Sequence, residues 1–333
     1  MSMGTEAPET ERTLALLDEL GVGYGCDVPI GPRTWYGVGG SAAVMAHPTG
    51  AEQLATLIGR CAEAGIEARV LGKGANLLVI EGTLGGVTIV LDDPGFRVID
   101  IDVDAERVIA GAGADLERLI TSTVRAGLAG LEGLAGIPAT VGGALRMNAG
   151  GAFGEIGPTV ESVDVIEPGG RLHTLGREML EFSYRRSNLG QRLICSATFA
   201  LKRVEDQATL RDKLKQVMAY KKGSQPMAAS SAGCAFKNPK TQSEHGAGKL
   251  IDDAGLKGLR IGGAEVSTVH ANFIVLHEGG AAADVLAVMN EVQRRVKDQT
   301  GITLQREVVV WGEPKQEIRK TVKQEISAKR AQS

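Results

Sequence analysis

The sequence predicts a chain of mixed helices and strands in three consecutive sections. Three observations carry this. Its 333 residues exceed one ordinary domain of ~100–200 residues. The apolar pattern changes twice: a strand–helix–strand order to about residue 93, period-two strands from 94 to 204, and mixed elements again from 205 to 313. Glycine, with 45 residues, is about twice its usual ~7 % share. The glycines gather in a few loops, without repeats or low complexity.

Residues 1 to about 10 read as a disordered leader, and 1–29 as leader plus one short helix over Thr13–Leu20. Val44 to His47 is strand-like and stops at Pro48. Glu52–Ala64 has apolar residues at helical spacing and ends before Gly65. Ala68–Gly72 and Gly86–Leu91 are short apolar strands, so the opening section is a small β-α-β unit. Arg97–Asp104 alternates with period two and pairs with Val108–Gly113 as a hairpin. Asp115 caps a helix to Ala126, which Gly127 ends. Pro168-Gly169-Gly170 turns a second hairpin between Val160–Ile166 and Arg171–Thr174, and Leu193–Arg203 is a further strand. Glu205–Lys222 is a long charged helix at a boundary. A glycine-rich stretch follows over 228–263, then a strand at Asn272–Leu276, a helix over Ala281–Gln299 and a last strand at Leu304–Trp311. The charged segment 314–333 reads as a mobile tail.

Composition narrows the function classes. Hydrophobic residues at 43 % and charged residues at 23 % mark a globular chain. A net charge of −3 gives no general attraction to nucleic acid or anionic membranes. No apolar run approaches the ~18 residues of a membrane span, and the polar, acidic start shows no secretory signal. Cys26, Cys61, Cys195 and Cys234 form no CxxC pair, and the five histidines are scattered. A disulfide framework and a zinc site are disfavoured, and a reducing cytoplasmic setting is the expectation.

The glycine loops carry the first chemical signal. Gly37–Ala42 fits the G-x-G-x-x-[GA] pattern, but a strand follows it where a dinucleotide fold needs a helix. No P-loop motif is present. Leu71–Leu78 (LGKGANLL) follows a strand, and its small residues let backbone N–H groups face a pyrophosphate. Gly136–Ala144 (GIPATVGGA) is a second such wall.

With these loops, the ordered segments TWYGVGG (34–40), GKGANLL (72–78), GLEGLAGIPATVGGALRMN (130–148), FSYRRS (182–187), SAGCAFKNP (231–239), AGKLIDDAGLKGLRIGG (247–263), HANF (270–273) and REV (306–308) resemble the UDP-N-acetylenolpyruvoylglucosamine reductase family. The resemblance spans about residues 30–312. It implies an α+β chain. FAD-binding subdomains of the vanillyl-alcohol-oxidase type are expected at 30–93 and 94–204, and a third, substrate-binding α+β domain at 205–313. The short separation of Arg185 and Cys234 matches the shorter, type II form, which lacks an inserted tyrosine. The implied activity uses NADPH to reduce non-covalent FAD, and then UDP-N-acetylglucosamine enolpyruvate to UDP-N-acetylmuramate, a peptidoglycan precursor. The implied partners are thus small molecules, in a monomer or weak oligomer.

The resemblance also assigns roles. Arg185 is expected to bind the substrate carboxylate and stabilise the enolate, with Glu307 beside it. Cys234 stands where many relatives carry serine as proton donor. A thiol, with a reference pKa of ~8.5, is a competent acid that gives up its proton readily. Cys26, Cys61 and Cys195 fit inert buried thiols better. Gly72, Gly74, Ala75, Asn76 and Leu77 are expected along the FAD pyrophosphate, with Gly136, Thr140, Gly142, Gly143 and Ala144 as the second wall. Tyr184, Lys222 and Asn238 are the expected substrate contacts, with Lys221 and Lys249 as further candidates and Arg306 near the flavin. A carbohydrate oxidase of the same fold and a non-catalytic sugar-nucleotide binder are the competing readings; SAGCAFKNP, REV and the trio Arg185, Cys234 and Glu307 weigh against them.

Overall fold

The computed structural model describes residues 8–312; the expected leader up to residue 7 and tail from 314 lie outside them. Seven helices and the strands named below make up about half of this span. The first section comprises α1 (Glu9–Glu19), β1 (Gly23–Pro29), β2 (Ser41–His47), α2 (Ala51–Glu63), β3 (Ala68–Val70), β4 (Leu77–Val79) and β5 (Thr83–Ile89). Its sheet runs β1-β2-β5-β3, with β5 parallel to both β2 and β3 and β1 antiparallel at the edge. The expected β-α-β unit is therefore present, and Gly37–Gly40 leads into a strand. Helix α2 buries Leu54, Leu57, Ile58 and Cys61 on one face, the apolar stripe of an amphipathic helix. Helix α1 starts earlier than Thr13, at Glu9. Strand β1 is not visible in the sequence pattern because it is a mostly exposed edge strand with glycines at alternate positions. It leaves Cys26 exposed, contrary to the buried thiol expected; Cys61 and Cys195 are buried.

The middle section holds the hairpin β6 (Ile99–Asp102) and β7 (Arg107–Gly111), then α3 (Leu116–Arg125) and the short α4 (Val141–Arg146). Strands at Val160–Ile166, Leu172–Gly176 and Leu193–Ala200 follow. These three join β6 and β7 in a fully antiparallel five-stranded sheet, with Leu193–Ala200 in the centre against β7. Asp115 caps α3 as expected, accepting from the N–H groups of Glu117 and Arg118 at 2.8 and 3.2 Å. Helix α4 occupies part of the expected Gly136–Ala144 loop. Thr140 caps it by accepting the Gly143 N–H at 3.3 Å. A Cβ on Gly142 would lie only 3.0 Å from that of Ala112, a tight contact that glycine avoids. The first two sections share one core, in which Leu54, Val87 and Ile89 pack with Leu116, Leu119, Val163 and Phe199.

The third section begins with α5 (Gln207–Ser224), which buries only Leu210 and Val217. Then come α6 (Ala247–Asp253), a three-stranded sheet of Arg260–Ile261, Ala264–Val266 and Ile274–Leu276, and α7 (Ala282–Thr300). Gly301, in the left-handed region at φ 74°, ends α7. The last strand is shorter than the expected Leu304–Trp311. Val309–Trp311 leaves the third section and runs parallel to β4. Tyr36 and Leu78 of the first section in turn enter the third section's core with Phe236, Ile251, Val285 and Leu304. The chain thus closes back on itself, bringing residues 305–308 beside the loop before β4. Among the described residues no helix is long and apolar enough to cross a membrane.

Candidate active site

A cavity of about 590 Å³ lies where the three sections meet. Gly72, Gly74, Ala75, Asn76 and Leu77 line it from one side, and Gly136, Thr140, Gly143 and Ala144 from another. Arg185, Cys234 and Glu307 line it as well. A second cavity of about 540 Å³ adjoins it, sharing Gly72, Lys73, Thr140, Gly143 and Arg146, and takes in Gly142. All ten residues expected to hold FAD therefore line this double cavity, and so do the three expected to do chemistry.

The glycine loops are small-residue loops for a steric reason. A Cβ on Gly72 would stand 2.8 Å from the Thr140 hydroxyl oxygen. Gly74 has φ +62°, and its Cβ would run into the Arg33 carbonyl. The two loops are packed to contact and leave an extended cleft beside them. Where these loops wall the cleft, they present backbone and small side chains, and the second lobe is rimmed by Arg33, Lys73, Arg97, Arg118 and Arg146 against one carboxylate, Asp115. A long, narrow, anionic dinucleotide fits that donor set.

Arg185 sits at the tip of a hairpin in which Phe182–Ser183 pairs with Arg186–Ser187. Its φ of 55° is in the left-handed region, sparsely used by non-glycine residues and costing ~1–2 kcal/mol. The tip is fixed from both ends. Asn148, fully buried, donates to the Ser183 carbonyl at 3.0 Å and accepts the Gly157 N–H at 3.0 Å. Tyr184 accepts the Asn238 N–H on its hydroxyl at 3.2 Å, and its ring faces the Lys240 ammonium at 4.1 Å. The Arg185 Nε then donates to Glu307 Oε1. This ion pair is largely buried, with side-chain exposures of 19 % and 12 %.

Cys234 is held by a small network of backbone bonds. Phe273 bridges Cys234, and Arg306 bridges Phe236 on the other side. Ala235 donates to the Asn272 carbonyl at 2.7 Å and accepts the Glu307 N–H at 2.8 Å. The buried Asn272 amide closes the arrangement, accepting the Phe236 N–H at 3.0 Å and donating to the Phe236 carbonyl at 2.8 Å. Cys234 and Glu307 are thus carried on adjacent bonded segments. Asn76 ties the same segment to the glycine loop, donating to the Glu307 carbonyl at 3.0 Å.

Burial controls the proton equilibria. It pushes the Cys234 thiol up to about 12, with the Glu307 charge adding to the effect. The thiol therefore holds its proton throughout the neutral range, more firmly than the ready release expected from the reference value. Burial also raises the Glu307 carboxyl, and Arg185 works against that rise. Burial, with Arg185 beside it, lowers the Lys221 ammonium to about 8.

Three of the expected substrate contacts lie outside the residues that line the cavity. Lys222 is exposed and does not line the cavity. The helical turn instead brings in Lys221, whose Nζ donates to the Ala135 carbonyl at 2.6 Å. Asn238 is not a lining residue either; its side-chain oxygen accepts the Ala247 N–H at 2.9 Å at the start of α6. Tyr184 supports the Arg185 tip and is not itself among the lining residues. Arg306 turns to α7, donating to Asn290 at 2.6 Å and Gln293 at 3.3 Å. Lys249 is paired with Asp253 and exposed. Sequence reasoning did not find the positioning roles of Asn76 and Asn148. Their signal was a short amide inside a glycine motif, where it serves backbone groups that no regular ladder reaches.

The model for the FAD binding domain matches residues 42–176, and the one for the UDP-N-acetylenolpyruvoylglucosamine reductase C-terminal domain matches 225–311. The chain is 42 % identical to the UDP-N-acetylenolpyruvoylglucosamine reductase of Heliobacterium modesticaldum over 286 residues, covering 86 % of this chain and 90 % of that one. It is 37 % identical to that of Moorella thermoacetica over 304 residues, covering 90 % and 98 %. The crystal structure of the Thermus caldophilus enzyme superposes with a TM-score of 0.71 at 38 % identity, over 87 % of this chain and 98 % of that one. The α+β fold with an FAD-binding unit ahead of a further domain is the one expected. The chain belongs to the UDP-N-acetylenolpyruvoylglucosamine reductase family, FAD-dependent oxidoreductases.

Proposed function

We propose that the chain uses NADPH and FAD to reduce UDP-N-acetylglucosamine enolpyruvate to UDP-N-acetylmuramate, with Cys234 as proton donor. The observation that carries this is the convergence of the Arg185–Glu307 pair and a protonated Cys234 on one cavity walled by both glycine loops. On this reading, residues 30–93 and 94–204 form the FAD unit, and 205–313 close the substrate side.

FAD, when bound and reduced by NADPH, supplies the hydride for the methylene carbon of the enolpyruvyl ether. Arg185 binds the substrate carboxylate through its guanidinium and stabilises the negative charge that grows there as the double bond is consumed. Its tip is fixed before substrate arrives, so little reorganisation is needed at the reacting centre. Glu307 keeps the guanidinium in place, and its charge acts on the Cys234 thiol. The Sγ–H bond of Cys234 breaks as its proton passes to the carbon beside the carboxylate. A thiol held at about 12 still serves, because an ester- or acid-derived enolate is a much stronger base than a thiolate. Lys221, a lining residue beside Ala135, takes the role expected of Lys222 toward the substrate's anionic groups.

The test is anaerobic. The purified chain should show flavin absorbance that NADPH bleaches and that one equivalent of UDP-N-acetylglucosamine enolpyruvate restores, with UDP-N-acetylmuramate formed. Bleaching without restoration, or restoration only by oxygen, would refute the proposal in favour of an oxidase of the same fold.

A further inference from the structure

We infer that Arg146 holds the diphosphate of the bound dinucleotide, an assignment that rests on the flavoenzyme reading above. Arg146 lies in the last turn of α4 and lines both lobes of the double cavity. Its Nη1 and Nη2 donate to the carbonyl oxygens of Gly190 and Arg192. Those acceptors fix the guanidinium plane but bring no negative charge. Among the described residues Arg146 forms no ion pair with a carboxylate, whereas Lys73, the other cation where the lobes join, is matched by Asp115. Arg33, Arg97 and Arg118 of the second lobe are exposed, so water screens them.

Arg146 is partly buried, and a cation drawn even partly out of water without a countercharge is held there at a cost. Burial already works against the Arg146 charge, lowering its pKa. A diphosphate at the junction supplies the missing charge. A guanidinium matches phosphate oxygens with two parallel N–H donors, and Gly72 and Gly143 beside it permit close approach of backbone. The flavin ring is then left to the lobe that holds Cys234, and the adenosine to the other. The competing role is purely architectural: Arg146 merely tethers the loop at 190–192.

The experiment separates the two. The full chain is stripped of flavin and titrated with FAD and, separately, with riboflavin, following quenching of flavin fluorescence. Arg146→Met should weaken FAD binding about ten- to a hundredfold, the scale of a charged hydrogen-bonded contact, and change riboflavin binding less than about twofold. It should also flatten the salt dependence of FAD affinity. Equal weakening of FAD and riboflavin, or no weakening of FAD, would overturn the assignment. Should Arg146→Met not fold, Arg146→Lys keeps the charge without the fork. Its FAD-loaded form should then shift the diphosphate phosphorus resonances from their wild-type positions, and unmoved resonances would overturn the assignment. Failure of the unmodified chain to bind FAD at all would instead sink the flavoenzyme reading, and this assignment with it.

Discussion

Replacing Cys234 by alanine isolates one step of the proposed reaction. The structure sets the size of the effect. With the thiol at about 12, only ~10⁻⁴ of it is thiolate at pH 8. The group is therefore present almost wholly as the acid. Alanine removes that acid and leaves the Arg185–Glu307 pair in place. Loss of a positioned general acid lowers a rate by ~10²–10⁴. Stopped-flow absorbance resolves the two halves. Flavin bleaching by NADPH should proceed at the wild-type rate in Cys234→Ala, and the return of colour on adding the enolpyruvyl sugar should slow by that factor. Cys234→Ser, which keeps an O–H donor at the same place, should recover most of the second half. The alanine variant matching the wild type in both phases would refute the assignment of Cys234 as the acid.

Three further outcomes follow from the same structure. Arg185→Met leaves burial opposed only by the Lys237 charge at Glu307, whose carboxyl is already raised. A raised acid stabilises the fold below its unfolded value of ~4.3 and loses that contribution as pH rises through its folded value. The variant's melting temperature should therefore fall relative to wild type between pH 5 and pH 8; a constant difference would contradict this. Asn272→Ala orphans the Phe236 N–H and carbonyl and should cost ~1–3 kcal/mol in urea unfolding, with the Cys234-dependent half-reaction slowed more than flavin reduction. Burial tends to raise the Glu132 carboxyl, but Lys213, at 2.6 Å, and the Gly130 N–H outweigh it and hold it low. Its stabilisation is present above the unfolded value and lost as pH falls. Glu132→Gln should cost about 1 kcal/mol at pH 7, since Lys213 is 45 % exposed and screened, and less at pH 4.

Much of this was legible in the sequence where local signals and tertiary structure agree. Asp115 reads as a cap and is one; α2 reads as amphipathic from Leu54, Leu57, Ile58 and Cys61 and packs that way. The Gly72–Leu77 loop reads as a close-approach loop, and Gly72 and Gly74 leave no room for a Cβ. What escaped depends on partners distant in the chain. The final strand pairs with β4, more than 200 residues earlier, and nothing in Val309–Trp311 announces that. Lys221 and Lys222 are indistinguishable by composition; only the phase of α5, set where Leu210 and Val217 are buried, decides which one enters the cavity. Asn238 is expected as a substrate contact because Lys237-Asn238-Pro239 resembles the family's substrate-holding segment. Its amide oxygen instead serves α6, a helix with no cap of its own at Gly246. The depth of the Cys234 thiol's proton hold was likewise invisible, because burial and the Glu307 charge arise only in the folded chain.

The most direct test is the distance from Cys234 Sγ to the plane of the isoalloxazine ring in a crystal of the chain with FAD bound. A substrate must fit between thiol and ring, so the account predicts about 7 Å, two van der Waals layers of ~3.5 Å each. A ring lying directly against the sulfur, or one placed in the lobe beyond Arg146, would contradict it.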